Sequence, residues 1–442
     1  MSTFGELSTQ PILADSSPIS LRDLVPAKTL ADTPRNGKRL IDSSFVLFED
    51  YEEAFGLITS GRASSVYSLP FEKNIQTLDF RDVVIPKADA IISSLKGFIS
   101  APAFTSNDNQ WTSADFDNDT IARGALDGHF GASQTLDYLY DNFYRNGLDD
   151  NGSTVLIGVA PKGLDEAGEV EDGHNAYYSE TFNYEGEKYA MVTLLDGVAR
   201  TEQFKERFGD IGLVAGIDVL AHELTHGLTH ETANLVYQGE SGALNESFSD
   251  IFGTNVKRIV MGTNKLGQPF WSWTIGKGWW PIRDMSNPNT FEHPDTYEGK
   301  FWVDPSSEKD NGGVHINSGV QNYWYALLVE GSGNNGAGLA TPDLLLGSHE
   351  NYTNDNGFNY NVKGIGFDKA QGVAYRALVN YLQEDSTFID SREATIRAAT
   401  DLTDSSIANL YPGVPTLDLS DVDSVRDAWN AVGVGGGLSP EG

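Results

Sequence analysis

Cysteine is absent from this chain of 442 residues. Disulfides and thiolate metal sites are therefore excluded, so any metal must be bound by His, Asp or Glu. Basic residues are scarce as well, with 30 Lys and Arg against 63 Asp and Glu and a formal net charge of −33. Because such a negative field repels nucleic acid and anionic membrane surfaces, neither is expected as a partner.

Long apolar runs are also missing, since no stretch approaches the roughly 18 residues of a membrane span. The first 30 residues lack a basic n-region and an apolar h-region, so no Sec-type leader is predicted. The sequence therefore predicts a soluble chain, and we expect it to be a monomer. It leaves open whether the protein is secreted or cytoplasmic.

The chain divides into three regions by composition. Residues 1–65 are rich in Ser, Pro, Leu and Asp, and they are predicted to form an extended or weakly ordered segment. Strand-like segments follow at Ser153–Pro161 and Lys188–Leu195. One helix is predicted from Ser133, as its N-cap, to Gly147, as its stop.

The later part of the chain is dominated by helical patterns. These are predicted at Ile217–Leu228, Ala243–Val256, Asp368–Gln383, Ser391–Asp401 and Asp421–Val432. The fold class is therefore predicted to be α+β with two lobes: a strand-rich N-terminal lobe at 66–227, ending in the first of these helices, and a helical C-terminal lobe at 228–442. We expect a cleft between the lobes.

The most informative motif is AHELTHGLTH at 221–230. His222 and His226 are four residues apart, so on a helix both imidazoles leave the same face. That spacing suits two ligands of one tetrahedral zinc ion. Glu223 is rotated about 100° from His222 and can reach a metal-bound water. The alternative is a helix that carries two satisfied polar residues.

A third ligand is predicted on the next helix, within GALNESFSD at 242–250. Glu246 lies among apolar residues, where a buried carboxylate needs a partner such as a metal. Asp250 is four residues further on the same helical face, and it is placed to accept the second ring N–H of His222. A Glu and an Asp at helical spacing are otherwise typical of a solvated face.

Taken together, these motifs resemble the thermolysin-like neutral metalloproteases. The resemblance covers roughly Asn175 to Val434, continues more weakly at 125–143, and is lost below about residue 100. The matching segments occur in the order of the family: AHELTH at 221–226, YQGESGALNESFSDIFG at 237–253, DNGGVHINSG at 310–319, GIGFDKA at 364–370 and AWNAVGV at 428–434. The short N-terminal segment is similar to the precursor of leaderless, protealysin-like members.

The resemblance implies a zinc metalloendopeptidase that acts on peptides or proteins, with one zinc ion and Glu223 as general base and acid. It assigns His315 and Tyr237 as donors to the oxyanion, with Asp310 orienting the ring of His315. Without the family, Tyr237 would be interpreted as a core or surface residue and His315 as a loop histidine.

The resemblance also implies substrate-binding residues. Asn175 and Ala176 match an edge strand that pairs with the substrate backbone, and Arg283 matches an arginine that binds a substrate carbonyl. Arg283 would otherwise be interpreted as part of a surface ion pair. An apolar primed-side pocket that prefers large apolar residues is assigned to Val219, Leu213 and Ile282.

The sequence departs from the family at its double calcium site. Asp218 is present, but Lys257 stands where a second acidic ligand is expected, and no Asp or Glu occurs between Ile251 and Arg283. The double site is therefore predicted to be absent, with Lys257 supplying a positive charge to Asp218. A separate calcium loop or a solvated acidic loop is possible at Asp115, Asp117 and Asp119.

Three further alternatives stay open at the level of sequence. Residues 1–65 are either a short pro-region that keeps the protein a zymogen, or a disordered tail, or an added strand of the first lobe. The protein is either a broad protease or a processing enzyme dedicated to one partner protein. A non-catalytic zinc-bound relative would be expected to lack Glu223 or His315, and both are present.

Overall fold

The computed structural model describes the chain in segments. They are residues 8–10, 25–33, 37–47, 53–56, 58–59, 74–80, 84–85, 101, 103–106, 120–160, 162–163, 176–184, 186–195, 216–262, 271–276, 281–332 and 353–435. The predicted residues Asn175, Leu213, Asp115, Asp117 and Asp119 lie outside these segments. The chain divides into two compact units, Met1–Tyr140 with Arg145–Gly227, and Asp141–Tyr144 with Leu228–Gly442.

The first unit is built on strands. They are β1 Ser8–Gln10, β2 Val25–Thr33, β3 Gly37–Leu47, β4 Glu53–Gly56, β5 Ile58–Thr59, β6 Ile75–Asp79, β7 Val84–Ile85, β8 Ala103–Ser106, β9 Thr154–Val159, β10 Lys162–Gly163, β11 Ala176–Tyr184 and β12 Glu187–Leu194. Ten of these strands form one sheet, with the order β11-β12-β9-β6-β8-β4-β3-β2 along its main path. The strands predicted at 153–161 and 188–195 are confirmed as β9 and β12.

Strand β9 lies inside this sheet and runs parallel to both of its neighbours, β12 and β6. All six of its residues are buried, as expected for a parallel strand that is covered on both faces. Gly158 is required there, because a Cβ at this position would lie 2.2 Å from the ring of Phe80. Next to β12 lies β11, the last strand of the path at this end among the described residues.

Part of the N-terminal region also belongs to this sheet. Strand β2 pairs with β3, β3 with β4, and β4 with β8, all antiparallel. Of the two states predicted for this region, extended or weakly ordered, Val25–Thr33 and Gly37–Leu47 adopt the extended one. These strands have little alternating hydrophobicity of their own, and their pairing depends on a distant partner that local patterns do not show.

The predicted helix start at Ser133 is also wrong. Helix α1 runs from Thr120 to Phe143, so Ser133 lies in its interior. Gly128 and Gly131 obscured the first half of the helix, because glycine is unfavourable in a helix interior. Here they allow close packing: an added Cβ would lie 2.9 Å from Leu194 Cδ1 at Gly128 and 2.6 Å from Leu220 Cδ2 at Gly131.

The helices predicted in the later part of the chain are confirmed to within about five residues, whereas those at Asp310–Asn317, Gly319–Glu330 and Ser405–Ala408 were not predicted. The later helices are α2 Ile217–His230, α3 Gly239–Met261, α4 Asp310–Asn317, α5 Gly319–Glu330, α6 Phe367–Asn380, α7 Phe388–Asp401, α8 Ser405–Ala408 and α9 Leu419–Ala431. The boundary between the two units falls within α2. Two short strands, β13 Thr274–Ile275 and β14 Arg283–Asp284, pair after α3.

Aromatic side chains fill the core of the second unit. Trp324 on α5 and Trp429 on α9 are fully buried and stack with ring centroids 4.7 Å apart. Phe143 and Tyr375 stack at 3.9 Å. Helices α7 and α9 both begin with a capping box, which uses Thr387 with Asp390 and Asp418 with Asp421. Within the described residues, no helix has the length and apolar content needed to cross a bilayer.

Candidate active site and metal centre

Two histidines of α2 converge on a single point. His222 and His226 lie one turn apart, and their Nε2 atoms are 3.1 Å from each other. The two rings are nearly perpendicular, at 87°, and His222 is buried. Two nitrogens that each lie about 2.0–2.1 Å from a tetrahedral zinc would be about 3.3 Å apart. The observed spacing therefore fits a pair of zinc ligands.

Glu246 on α3 completes a set of three ligands. Possible ligand atoms of His222, His226 and Glu246 all lie within 4.8 Å of one another. Glu246 is 1% exposed, and a carboxylate so deeply buried requires compensating positive charge. Two imidazoles and one carboxylate form the donor set of a catalytic zinc site, which leaves a coordination position open. The three predicted ligands are thus brought together.

Glu223 is buried on the same helix and is held by the backbone of β11. Its Oε2 atom accepts a hydrogen bond of 2.9 Å from the N–H of Tyr178. The register of β11 against β12 shifts between Tyr178 and Glu180, so a β-bulge interrupts the ladder at this place. A bulge can re-aim a backbone group away from the neighbouring strand. The sequence predicted Glu223 but gave no sign of its contact with Tyr178.

Tyr237 and His315 lie against Glu246. The Tyr237 hydroxyl donates to Glu246 Oε1 and lies 3.0 Å from His315 Nε2. On the other side of the imidazole ring, His315 Nδ1 is 2.6 Å from Asp310 Oδ1, and the His315 backbone N–H donates to Asp310 Oδ2 at 2.9 Å. Two contacts from one carboxylate fix both the backbone and the ring of His315. The side chains of Tyr237 and His315 remain partly exposed.

A left-handed stretch places Asp310 beneath this ring. Four consecutive residues, 310–313, have positive φ values of 52°, 49°, 82° and 81°. Glycine is needed at the last two, where an added Cβ would lie 2.3 Å from the Pro305 carbonyl oxygen and 2.6 Å from Val303 Cβ. Asn317 closes the stretch, because its side chain bonds both the N–H and the carbonyl of Val303. The sequence DNGG thus produces the local geometry that the Asp310–His315 pair requires.

Arg283 is buried beside two carboxylates. Its Nε and Nη2 atoms donate to Asp250 at 2.7 and 2.8 Å, and Nη2 lies 3.5 Å from Glu246 Oε2. Burial alone would lower the pKa of Arg283, but Asp250 and Glu246 outweigh burial and raise that pKa above its ordinary value. Burial, followed by the charge of Arg283, lowers the pKa of His293 to about 4.

Asn322 and Ser247 extend the network around Asp250. Asn322 donates to Asp250 Oδ2 at 2.8 Å and accepts from Ser247 Oγ at 2.9 Å, and both residues are fully buried or nearly so. Sequence reasoning missed both, although a polar pair, Gln321–Asn322, within the otherwise apolar α5 was a usable signal. The bond from His222 to Asp250 stays a prediction.

The remaining substrate-binding residues are only partly described. Ala176 is buried at the start of β11 and pairs with Leu194 of β12. Val219 is buried on α2, and Ile282 is half-buried next to β14. The apolar pocket that the sequence assigns to Val219 and Ile282 stays a prediction.

Asp218 and Lys257 are both buried, each with 4% exposure. The ammonium group of Lys257 donates to the Thr274 carbonyl at 2.8 Å. A lysine in this place brings a positive charge to a position where a calcium ligand would need to be an oxygen. The absence of a double calcium site stays a prediction.

Comparisons with known proteins identify the family of this chain. A family model described as thermolysin metallopeptidase, catalytic domain, matches residues 49–230, and one described as thermolysin metallopeptidase, alpha-helical domain, matches residues 233–434. The neutral protease NprE of Bacillus pumilus is 30% identical over 315 residues, which are 71% of this chain and 77% of that protein. The chain belongs to the thermolysin metallopeptidase family. The predicted resemblance is therefore confirmed.

Other members of the thermolysin family are longer than the matched region. Bacillolysin of Bacillus cereus is 33% identical over 332 residues, which are 73% of this chain and 46% of that protein. Bacillolysin of Brevibacillus brevis is 31% identical over 332 residues, which are 75% of this chain and 48% of that protein. The match thus spans about half the length of these relatives.

A solved structure supports the fold assignment. The precursor of protealysin, a metalloproteinase from Serratia proteamaculans, aligns with a TM-score of 0.51 at 21% identity and covers 84% of this chain and 90% of that one. At this identity the likeness shows a shared fold. With the family models, it confirms the predicted α+β class with an N-terminal catalytic and a C-terminal helical part.

Proposed function

We propose that the protein is a zinc metalloendopeptidase that hydrolyses peptide bonds in peptides or proteins. The observation that carries this proposal is the convergence of His222, His226 and Glu246, with their ligand atoms within 4.8 Å of one another. Zinc held by these three residues would supply Lewis acidity, which polarises a carbonyl and makes water acidic enough to lose a proton near neutral pH.

Glu223 is the residue that moves the proton. Its carboxylate accepts a proton from the attacking water and later delivers it to the leaving amine. The Tyr178 N–H holds one oxygen of this carboxylate, which fixes its direction. Proton transfer by a positioned base needs this kind of restraint, because the group must lie within hydrogen-bond reach of the proton.

Tyr237 and His315 stabilise the charge that develops on the carbonyl oxygen. Both can donate a hydrogen bond, and their polar atoms lie 3.0 Å apart beside Glu246. Asp310 keeps the ring in place through its contact with Nδ1. Such donors are already oriented before the charge appears, which is why they lower the barrier effectively.

Substrate is proposed to bind along β11, with Asn175 and Ala176 pairing with its backbone. Strand β11 is the last strand on its side of the described sheet, which favours the addition of an extended peptide. Arg283 is proposed to bind a substrate carbonyl. Val219, Leu213 and Ile282 are proposed to form an apolar pocket that prefers large apolar residues after the cleaved bond.

The metal requirement is tested directly by chelation. Removing zinc with a chelator is expected to abolish cleavage of an unstructured protein substrate, and adding zinc back at equimolar concentration is expected to restore it. Glu246→Gln should bind zinc more weakly, because one charged ligand is lost. Metal content and activity are measured together. Full activity in zinc-free protein would contradict the proposed function.

A second prediction concerns calcium. Because Lys257 places an ammonium group where the family has an acidic ligand, selective removal of calcium is expected to leave the melting temperature nearly unchanged. Lys257→Glu should lower the melting temperature without calcium, since a new buried carboxylate would repel Asp218, and calcium should then restore it. Lys363→Glu, an exposed substitution with the same charge change, is the control. A large loss of stability in the unmodified protein on calcium removal would contradict the prediction.

The prediction that residues 1–65 act as a pro-region remains part of this proposal. The matched catalytic domain begins at residue 49, after strands β2 and β3. The solved relative is itself described as a precursor. Strands β2 and β3 of this segment lie at the other end of the sheet path from β11, so the proposed block of β11 falls to the rest of the segment, whose tethering gives it a high effective concentration at its own site.

A further inference from the structure

A pocket of about 250 Å³ lies at the C-terminal end of α5, and none of its lining residues belongs to the proposed active site. Its walls come from the end of α5, the segment before α6, the first turn of α6 and the start of α9. Gly364 makes the close approach possible, because an added Cβ would lie 2.6 Å from the Glu330 carbonyl carbon. Val329 and Ile365 contribute apolar surface, while the other side chains that line the pocket are mostly charged.

Most of these charges are compensated within the protein. The ammonium group of Lys369 lies 2.7 Å from Asp421 Oδ2. The carboxylates of Asp418 and Asp421 also form the capping box of α9, where each accepts the backbone N–H of the other residue. These groups therefore have little remaining capacity to bind a ligand.

Two charges of opposite sign remain without a charged partner. Glu330 Oε1 is buried and has no charged partner among the described residues; the polar group that acts on this carboxyl is the uncharged side chain of Trp273. Lys363 is exposed; among the described residues its ammonium group contacts the Ser420 hydroxyl at 3.2 Å and no carboxylate within 4.0 Å. Glu330 thus lies on the inner side of the pocket and Lys363 at its mouth.

The position of Glu330 favours a cationic group. It is the last residue of α5, where the helix dipole is negative and attracts positive charge. Burial raises the pKa of Glu330 to about 7. Its ionised form is therefore costly in the empty pocket, and a bound ammonium group would remove that cost.

We propose that this pocket binds a free α-amino acid with an apolar side chain, its ammonium group against Glu330 and its carboxylate against Lys363. Both charges of the ligand then meet the two uncompensated charges of the protein, and the side chain contacts Val329 and Ile365. The pocket is smaller than the roughly 300–1,000 Å³ typical of sites for drug-sized ligands, which suits a molecule of this size.

The binding is independent of the proposed peptidase activity, although proteolysis would supply such ligands. A negative peptidase assay would not contradict the proposed amino-acid binding in this pocket. A negative binding assay would not contradict the proposed active site. The two proposals are therefore separated by their experiments.

The test is a calorimetric titration of L-leucine into the full chain at pH 8. Binding is expected to weaken about tenfold or more for N-acetyl-L-leucine, which lacks the ammonium group, and for L-leucinamide, which lacks the carboxylate. In wild-type protein, lowering the pH from 8 to 6 should weaken L-leucine binding about tenfold, because Glu330 becomes protonated. The other charged side chains that line the pocket are Lys363, Lys369, Asp418 and Asp421.

The variants locate the site. Glu330→Gln is expected to weaken L-leucine binding about tenfold or more and to remove its dependence on pH between 6 and 8. The amide mimics a protonated carboxyl, so the fold should be kept. Lys363→Gln tests the mouth of the pocket at an exposed position, and the exposed Glu393→Gln serves as the matched charge control. The proposal is overturned if wild-type protein shows no binding up to about 10 mM, if both pocket variants bind like wild type, or if N-acetyl-L-leucine binds as tightly as L-leucine.

Discussion

Glu223→Gln is expected to lower kcat by about 10²–10⁴-fold while the metal content and the melting temperature stay unchanged. The amide has the shape of the carboxylate, and its carbonyl oxygen can still accept the hydrogen bond from the Tyr178 N–H. It cannot take a proton from water, so proton transfer alone is lost. Glu223 is not one of the three ligand residues, which is why zinc should remain bound.

The measurement combines steady-state kinetics on a short peptide with metal analysis of the same sample. Glu231→Gln, one residue beyond the end of α2, removes a carboxylate of the same kind outside the ligand set and is the matched control. A drop in kcat with KM unchanged indicates an interaction made only in the transition state. Near-normal turnover by Glu223→Gln would remove Glu223 from the proposed mechanism.

The metal centre could be predicted from sequence because its geometry is local. On any helix, residues four apart share a face, so His222 and His226 needed no tertiary information to converge. Glu246 required only one further helix after a short connection. The structure brings all three together, and their elements were predicted at nearly the correct residues.

The parts that sequence missed depend on distant segments. The Tyr178 N–H donates to Glu223 next to a bulge between β11 and β12, and nothing in the residues of β11 marks that bulge. Gly128 and Gly131 suggested a late helix start, although tertiary packing against Leu194 and Leu220 makes glycine suitable there. Local propensity gives the wrong answer where packing determines the residue type.

The contacts of Asp250 also depend on segments that are distant in sequence. The sequence placed Asp250 on the correct helical face and assigned it to His222. The structure adds a cation and an amide from two distant segments, Arg283 and Asn322. These contacts join residues 33 and 72 positions away from Asp250, so no local pattern could have shown them. They make this group of buried charges important for stability.

Arg283→Met is expected to destabilise the protein by about 3–5 kcal/mol, because it leaves Asp250 buried without its cation. Methionine keeps most of the side-chain volume, so a cavity contributes little. The free energy of unfolding is measured by urea denaturation of the zinc-bound protein. Arg258→Met is the control: its partner, Asp368, is 3.2 Å away and largely exposed, and loss of such a pair costs about 1 kcal/mol or less.

The double variant separates lost charge pairing from lost packing. If Arg283 stabilises the fold by compensating Asp250, then adding Asp250→Asn to Arg283→Met should recover part of the lost stability, since no unpaired buried charge remains. The two substitutions would then be non-additive, as expected for residues joined by two hydrogen bonds of 2.7 and 2.8 Å. Strict additivity, or an Arg283→Met variant as stable as Arg258→Met, would show that the buried pair does not act through charge. In that case Arg283 would be held in place by packing, and its proposed contact with the substrate carbonyl would have to be tested by KM alone.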